Sequence, residues 1–203
     1  MTSAVGFDLD MTLIDSRPGI AAAYRALAAT TGVPIDAELA VTRLGPPLRQ
    51  ELREWFPESE VESAVTTYRS LYPEYAIAPT VPMPGAVEAL ATVRALGLRV
   101  MVVTSKIARL AALHLAHLGF AVDALAGDAF GPEKAKALVD NDAGWYVGDH
   151  VGDMIAARTA GIPGIGVTTG PCDAAALADA GAAHVLKDLT GFPTLLQRIA
   201  VGP

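Results

Sequence analysis

Apolar and polar positions change rhythm twice along this chain. Ala4, Val5, Gly6 and Phe7 form a short apolar run without helical spacing, which predicts a buried strand. Asp15 or Ser16 then stands where a helix would begin, running through Pro18 to about Thr30 and ending at Gly32. Proline in the first turn is tolerated, because that N–H would have no intrahelical partner. From Asp36 to about Ala78 the spacing is helical throughout. Its segments are Asp36–Leu44, Pro47–Phe56 and Glu58–Tyr75, broken at Gly45-Pro46-Pro47 and Pro57, with no β-branched strand among them. A proline-rich hinge follows, Pro79-Thr80-Val81-Pro82-Met83-Pro84-Gly85.

Beyond the hinge the pattern alternates. Helix Gly85–Leu96 stops at Gly97, strand Leu98–Val103 is strongly apolar, and helix Ile107–Leu118 stops at Gly119. A short strand near Val122–Ala126, helix Glu133–Val139 and strand Gly144–Val147 come next. Helix Met154–Ala160, strand Gly164–Thr168, helix Ala174–Ala180, strand His184–Leu186 and a last helix from about Phe192 complete the chain. Such alternation predicts an α/β fold, a Rossmann-like three-layer core with a central parallel sheet. The all-helical block cannot join that sheet and is read as an inserted all-α cap domain. The expected division is a core of residues 1–15 and 83–203 and a cap of residues 16–82.

Composition narrows the function. The 203 residues carry a net charge of −7 with acids and bases interspersed, which argues against a nucleic-acid polymer as partner. No run of 18 apolar residues occurs, so no membrane span is expected. No basic segment followed by an apolar one opens the chain, so no signal peptide is expected either. Cys172 is alone and cannot form an internal disulfide, which fits a reducing, cytoplasmic setting.

The candidate chemistry sits at strand ends. Asp8 and Asp10 follow the first strand, and two carboxylates in a poorly solvated place need a compensating cation. Thr104 and Ser105 follow Leu98–Val103, Lys134 opens the helix before Gly144–Val147, and Asp149 and Asp153 follow that strand. Lys136, two residues on, points to a different helix face, and Lys134 is nearer the helix start. A parallel sheet would gather the strand-end residues along one edge, where open α/β sheets bind ligands. The types suit phosphoryl transfer. A carboxylate can be the nucleophile, a second acid can move the proton, and a lysine and a metal can offset phosphoryl charge.

With these motifs in this order, the chain resembles haloacid dehalogenase superfamily phosphatases of the subgroup with a helical cap after the first strand, similar to phosphoglycolate phosphatases. The resemblance covers essentially the whole chain. It implies Asp8 as nucleophile and metal ligand, and Asp10 as general acid/base that lends its backbone carbonyl to Mg²⁺. It implies phosphoryl binding by Thr104 with Ser105, charge compensation by Lys134, and metal binding by Asp149 and Asp153. The implied reaction is Mg²⁺-dependent hydrolysis of a small phosphorylated metabolite, phosphoglycolate-like or a sugar phosphate, by a monomer or homodimer. A phosphosugar mutase, a dehalogenase and a non-catalytic binding module are the alternatives. Met11 stands where the family usually has glycine, and it is expected to narrow the approach to Asp10. On the cap, Arg49 is the candidate to grip a substrate carboxylate, and Gly45-Pro46-Pro47-Leu48 resembles the loop such caps send toward substrate. Leu52, Trp55 and Phe56 are expected to fill the cap's own core. Lys106 is a further candidate to touch substrate. His150 is expected to point to solvent from its loop, and His114 and His117 to lie on a helix surface or boundary.

Overall fold

A computed structural model describes residues 3–200. Among them, six parallel strands form one sheet, and each predicted strand is present. The strands are β1 (Ala4–Phe7), β4 (Arg99–Val103), β5 (Ala124–Ala126), β6 (Ala143–Gly148), β7 (Gly164–Val167) and β8 (Ala182–Leu186), in the order β5-β4-β1-β6-β7-β8. The first strand is thus central. Phe7 is in register with Val102 on one side and Val147 on the other. The residues that follow β1, β4 and β6 therefore emerge next to one another.

Alternation along the strands builds the three layers. Val100 and Val102 of β4 face one hydrophobic cluster with α5 (Ala86–Ala95) and the last helix (Phe192–Ala200), which includes Phe7, Leu90 and Leu196. Met101 and Val103 face the opposite cluster with α7 (Pro132–Asp140) and α8 (Val151–Thr159), which includes Leu138, Tyr146 and Ala157. Gly6 permits close packing at its place in β1: a Cβ there would stand 2.7 Å from the end of the Leu138 side chain of α7, which would have to move. The lack of a Cβ lets α7 lie close on β1, and α7 carries Lys134 one turn before Leu138.

Helices α1 (Arg17–Thr31), α2 (Ala37–Ala40), α3 (Leu48–Leu52) and α4 (Glu58–Tyr75) surround a separate hydrophobic cluster, in which Leu27, Leu52, Phe56 and Tyr68 are buried and Trp55 packs at the edge. The segment predicted as one helix over Pro47–Phe56 is helical only to Leu52. It then turns, with the Trp55 and Phe56 N–H groups both bonded back to Leu52. A feature that the sequence pattern does not indicate joins the two parts. Strands β2 (Ile14–Asp15) and β3 (Val81–Pro82) pair antiparallel, so the outgoing and returning connections run as one ribbon.

Met11 departs from expectation. Its φ is 63°, in the left-handed region that favours glycine, yet its side chain is 2% exposed and belongs to the sheet's core. It turns inward and does not line the cavity beside Asp10, so it does not narrow the approach. Backbone strain of about 1–2 kcal/mol is set against the burial of a long apolar side chain, which is worth more: large-to-small core changes cost about 2–5 kcal/mol. Met11→Gly is expected to lower stability by about 1–3 kcal/mol, read as a lower urea midpoint at unchanged m-value. An increase in stability would show that strain outweighs packing there.

Candidate active site

Asp8 is the first residue past β1, and its N–H donates to the Val147 carbonyl at 2.8 Å, which ties it to β6. Asp149 follows β6, and Asp153 lies in the first turn of α8. One carboxylate oxygen from each of Asp8, Asp149 and Asp153 lies within 4.8 Å of the others, all three residues being buried. Lys134 enters this group from α7 and donates to Asp8 at 2.8 Å and to Asp153 at 2.7 Å. Tyr146 adds a hydroxyl 2.9 Å from the Val103 carbonyl and 3.1 Å from Asp153. Thr12 donates to Asp149 at 2.8 Å. The packing leaves no slack, since a Cβ on Gly170 would stand 1.8 Å from an Asp149 oxygen.

Three carboxylates against one ammonium leave an excess of negative charge in a poorly solvated place. Burial raises the Asp8 carboxyl to about 7, a rise that Lys134 opposes and Asp153 reinforces. Burial also pushes Asp149 well above the carboxylate range, with Asp8 and Asp153 adding to it. Lys134 is held charged by Asp153 and Asp8, which outweigh the burial that disfavours its ammonium. An all-oxygen donor set with uncompensated charge fits a hard divalent cation. A small space of about 10 Å³ adjoins Asp8, Lys134 and Asp153 and is also lined by Phe130, Gly131 and His150.

The raised Asp8 carboxyl has a measurable consequence. Between 3.8, its ordinary value, and about 7, the unfolded chain has released a proton that the folded chain keeps. Stability therefore falls as pH rises through that window. Without metal, Asp8→Asn should gain in melting temperature over the unmodified protein as pH rises from about 4 to about 7, with the gap closed by divalent cation. A gap independent of pH would contradict this.

Asp10 is held by a separate set of partners. Burial raises its carboxyl, but Lys106, which donates to it at 2.5 Å, and the Ser16 hydroxyl outweigh that and hold it below the ordinary value. Lys106 also donates to the Tyr72 hydroxyl of α4 at 2.7 Å. That hydroxyl lies 2.9 Å from His114 Nε2. The His114 ring is neutral: burial, and then Lys106, lower it to about 3. His114 is 0% exposed, against the expectation of a surface or boundary residue. A signal for this exists in the sequence, for it shares the helix stripe of Leu110, Ala111, Leu115 and Leu118 in α6 (Ala108–Leu118). His150 is half-buried and tied to the backbone, not free in its loop. Its Nδ1 accepts from the Gly152 N–H at 3.0 Å while Asp153 accepts from the His150 N–H at 3.1 Å, so it opens α8.

The structure divides the Thr104–Ser105 pair. Thr104 is buried, its hydroxyl accepting from the Lys106 N–H at 3.2 Å, and it lines neither cavity. Ser105 lines the main cavity and donates to the Gly45 carbonyl at 3.1 Å. This cavity, about 380 Å³, lies between the helical block and the sheet edge, with Asp8 and Asp10 at its floor. Gly45, Pro46, Pro47 and Leu48 all line it. Arg49 lines it too, with its guanidinium paired to Glu62. Lys136, on another face of α7 from Lys134, pairs with Asp140 on the surface.

Such an arrangement can hold a divalent cation beside one carboxylate and present a second, separately held carboxylate to the same bound molecule. Against known proteins, the chain matches the haloacid dehalogenase-like hydrolase family over residues 5–125 and a second HAD-hydrolase-like family over residues 121–192. It is 29% identical to a phosphoglycolate phosphatase of Neisseria gonorrhoeae, over 97% of this chain and 92% of that protein. It is 32% identical to a phosphoglycolate phosphatase of Neisseria meningitidis, over 82% of this chain and 80% of that protein. A solved haloacid dehalogenase-like family hydrolase of Streptococcus pneumoniae shares the fold, with a TM-score of 0.83 over 98% of both chains at 24% identity. No helix among the described residues is long and apolar enough to cross a membrane.

Proposed function

The chain belongs to the haloacid dehalogenase-like hydrolase family as a phosphoglycolate-phosphatase-like enzyme, and from that premise we propose that it hydrolyses a small phosphate monoester, with Mg²⁺, through an aspartyl-phosphate formed on Asp8. The observation that carries this reading is the gathering of Asp8, Asp149, Asp153 and Lys134 at one sheet edge, with Asp10 facing the same cavity as Asp8. Asp8, Asp149 and Asp153 would hold the cation, joined by the Asp10 backbone carbonyl. When bound, the cation supplies charge neutralisation for the phosphoryl group and the nucleophile.

In the first step an Asp8 oxygen attacks phosphorus, the ester P–O bond breaks, and Asp10 gives its proton to the departing alcohol. Lys106 keeps that carboxyl ionised in the free protein. An arriving phosphoryl anion shifts it upward, the direction a general acid requires. In the second step Asp10 takes a proton from water, whose oxygen attacks phosphorus and frees Asp8 and inorganic phosphate. Lys134 holds Asp8 in line throughout, and Ser105, with Thr104 setting its loop, faces the phosphoryl oxygens. Residues 16–82 act as a cap whose opening on the β2–β3 ribbon admits substrate and whose closing excludes water. Arg49 reaches the cavity from that cap. The setting is cytoplasmic.

The test is phosphate release with Mg²⁺ over a panel of phosphomonoesters, with Asp8→Asn as the blank. Release above that blank for at least one ester is expected, and none for any ester would overturn the reading. Return of the phosphoryl group to an isomerised sugar phosphate, in place of free phosphate, would identify a mutase.

A further inference from the structure

The floor of the main cavity carries the chemistry, but its walls are of another character. Ile20 of α1, Val65 of α4 and Leu48 of α3 face it from the cap, and Ile107 and Leu110 from the core. Tyr24 and Tyr68 also line it and pack on each other with ring centroids 4.8 Å apart. At about 380 Å³ the space falls within the ~300–1,000 Å³ range of small-molecule pockets, and a two-carbon acid would leave most of it to water.

Charge points the same way. Four cations line the cavity, and each already faces a carboxylate. Arg43 grips Glu51 through two nitrogens, at 3.1 and 2.5 Å. Arg49 pairs with Glu62, Lys106 with Asp10, and Arg69 stands 3.7 Å from Asp128. A substrate carboxylate would compete at each of these cations with the partner already in place. At Arg43 that partner is Glu51, whose side chain is only 13% exposed. Apolar walls with every cation engaged favour a leaving group that is uncharged and sheds water readily.

We propose that the preferred substrate is the phosphate ester of an uncharged alcohol bearing an apolar ring, seated between Ile20, Leu48, Val65, Ile107 and Leu110, and not that of a carboxylate-bearing alcohol. The proposal rests on the phosphatase reading above and specifies its leaving group. Leu48, half-buried at the start of α3, is a specificity-determining position.

The experiment compares benzyl phosphate, 2-phosphoglycolate and glucose 6-phosphate with Mg²⁺. All three are esters of primary alcohols, so their ratio reads the pocket more than leaving-group chemistry. Benzyl phosphate is expected to have a kcat/KM at least about tenfold above the other two. Leu48→Arg adds a cation to the cavity wall and should shift the ratio of benzyl phosphate to 2-phosphoglycolate by about tenfold toward the acid. Leu48→Gln should lower benzyl phosphate without raising the acid, and melting curves check that both variants fold. A preference of the unmodified protein for 2-phosphoglycolate or glucose 6-phosphate overturns this proposal and leaves the phosphatase reading standing. Release from none of the panel, these three included, overturns both.

Discussion

Asp8→Asn should lower phosphate release by about 10⁴–10⁶-fold, the scale on which enzymes lose rate when a covalent nucleophile is removed. This corresponds to about 5–8 kcal/mol of transition-state stabilisation. The amide keeps the shape of the carboxyl but offers no oxygen able to form the phosphoryl bond. The fold should survive, because the site suffers from too much negative charge, not too little. Asp8 is one of three buried carboxylates that share a single ammonium. Removing its charge relieves Asp149, which Asp8 pushes upward. An inactive variant that melts no lower than the unmodified protein, in the absence of metal at pH 8, is the expected pair of results. Loss of activity accompanied by loss of folding would leave Asp8 a structural residue.

Lys134→Met is the second large effect, and it falls on stability as well as turnover. The ammonium is buried and bridges Asp8 and Asp153 from α7, with the Tyr146 ring 5.7 Å away. Methionine fills nearly the same volume but strips the carboxylates of their one cation. Breaking a buried pair by removing one partner typically costs about 3–5 kcal/mol, and that loss is expected in urea denaturation without metal. Mg²⁺ should restore part of it, since a bound cation offsets the same charge. Lowering the pH should also narrow the loss, because protonated carboxyls need no partner. A change below about 1 kcal/mol would mean that Lys134 is no more than a surface-like ion pair.

Both effects fall on residues whose positions are legible in the amino-acid sequence. Asp8, Asp149 and the Thr104–Ser105 pair follow apolar runs, and a run of that kind has few alternatives to a buried strand. Strand adjacency brings them together. Lys134 is separable from Lys136 by nearness to the helix start, since the two point to different faces. What spacing does not carry is whatever depends on packing between distant segments. Nothing local marks Ile14–Asp15 and Val81–Pro82 as strands, because each is two residues long and is defined only by the other. Met11 is visible as an oddity, but its direction is not. A left-handed backbone turns the side chain into the core, where bulk at this position suggests crowding of the site. At His114 the residue type points to a surface and the apolar helix stripe points to the interior. Its burial goes with its contact to Tyr72, which comes from α4. The pairing of Arg49 with Glu62 across two cap helices is likewise beyond the reach of spacing.

The covalent step on Asp8 can be read directly. Enzyme turning over substrate with Mg²⁺ is quenched in acid, reduced with borohydride, and its N-terminal peptide sequenced by mass spectrometry. An acyl phosphate is reduced to an alcohol, so an aspartyl-phosphate at position 8 appears as homoserine there, and only when both substrate and Mg²⁺ were present. Homoserine at position 8 under turnover, absent from Asp8→Asn, is the expected result. An unmodified Asp8 in enzyme shown to release a stoichiometric burst of alcohol, or homoserine at another aspartate, would contradict the mechanism.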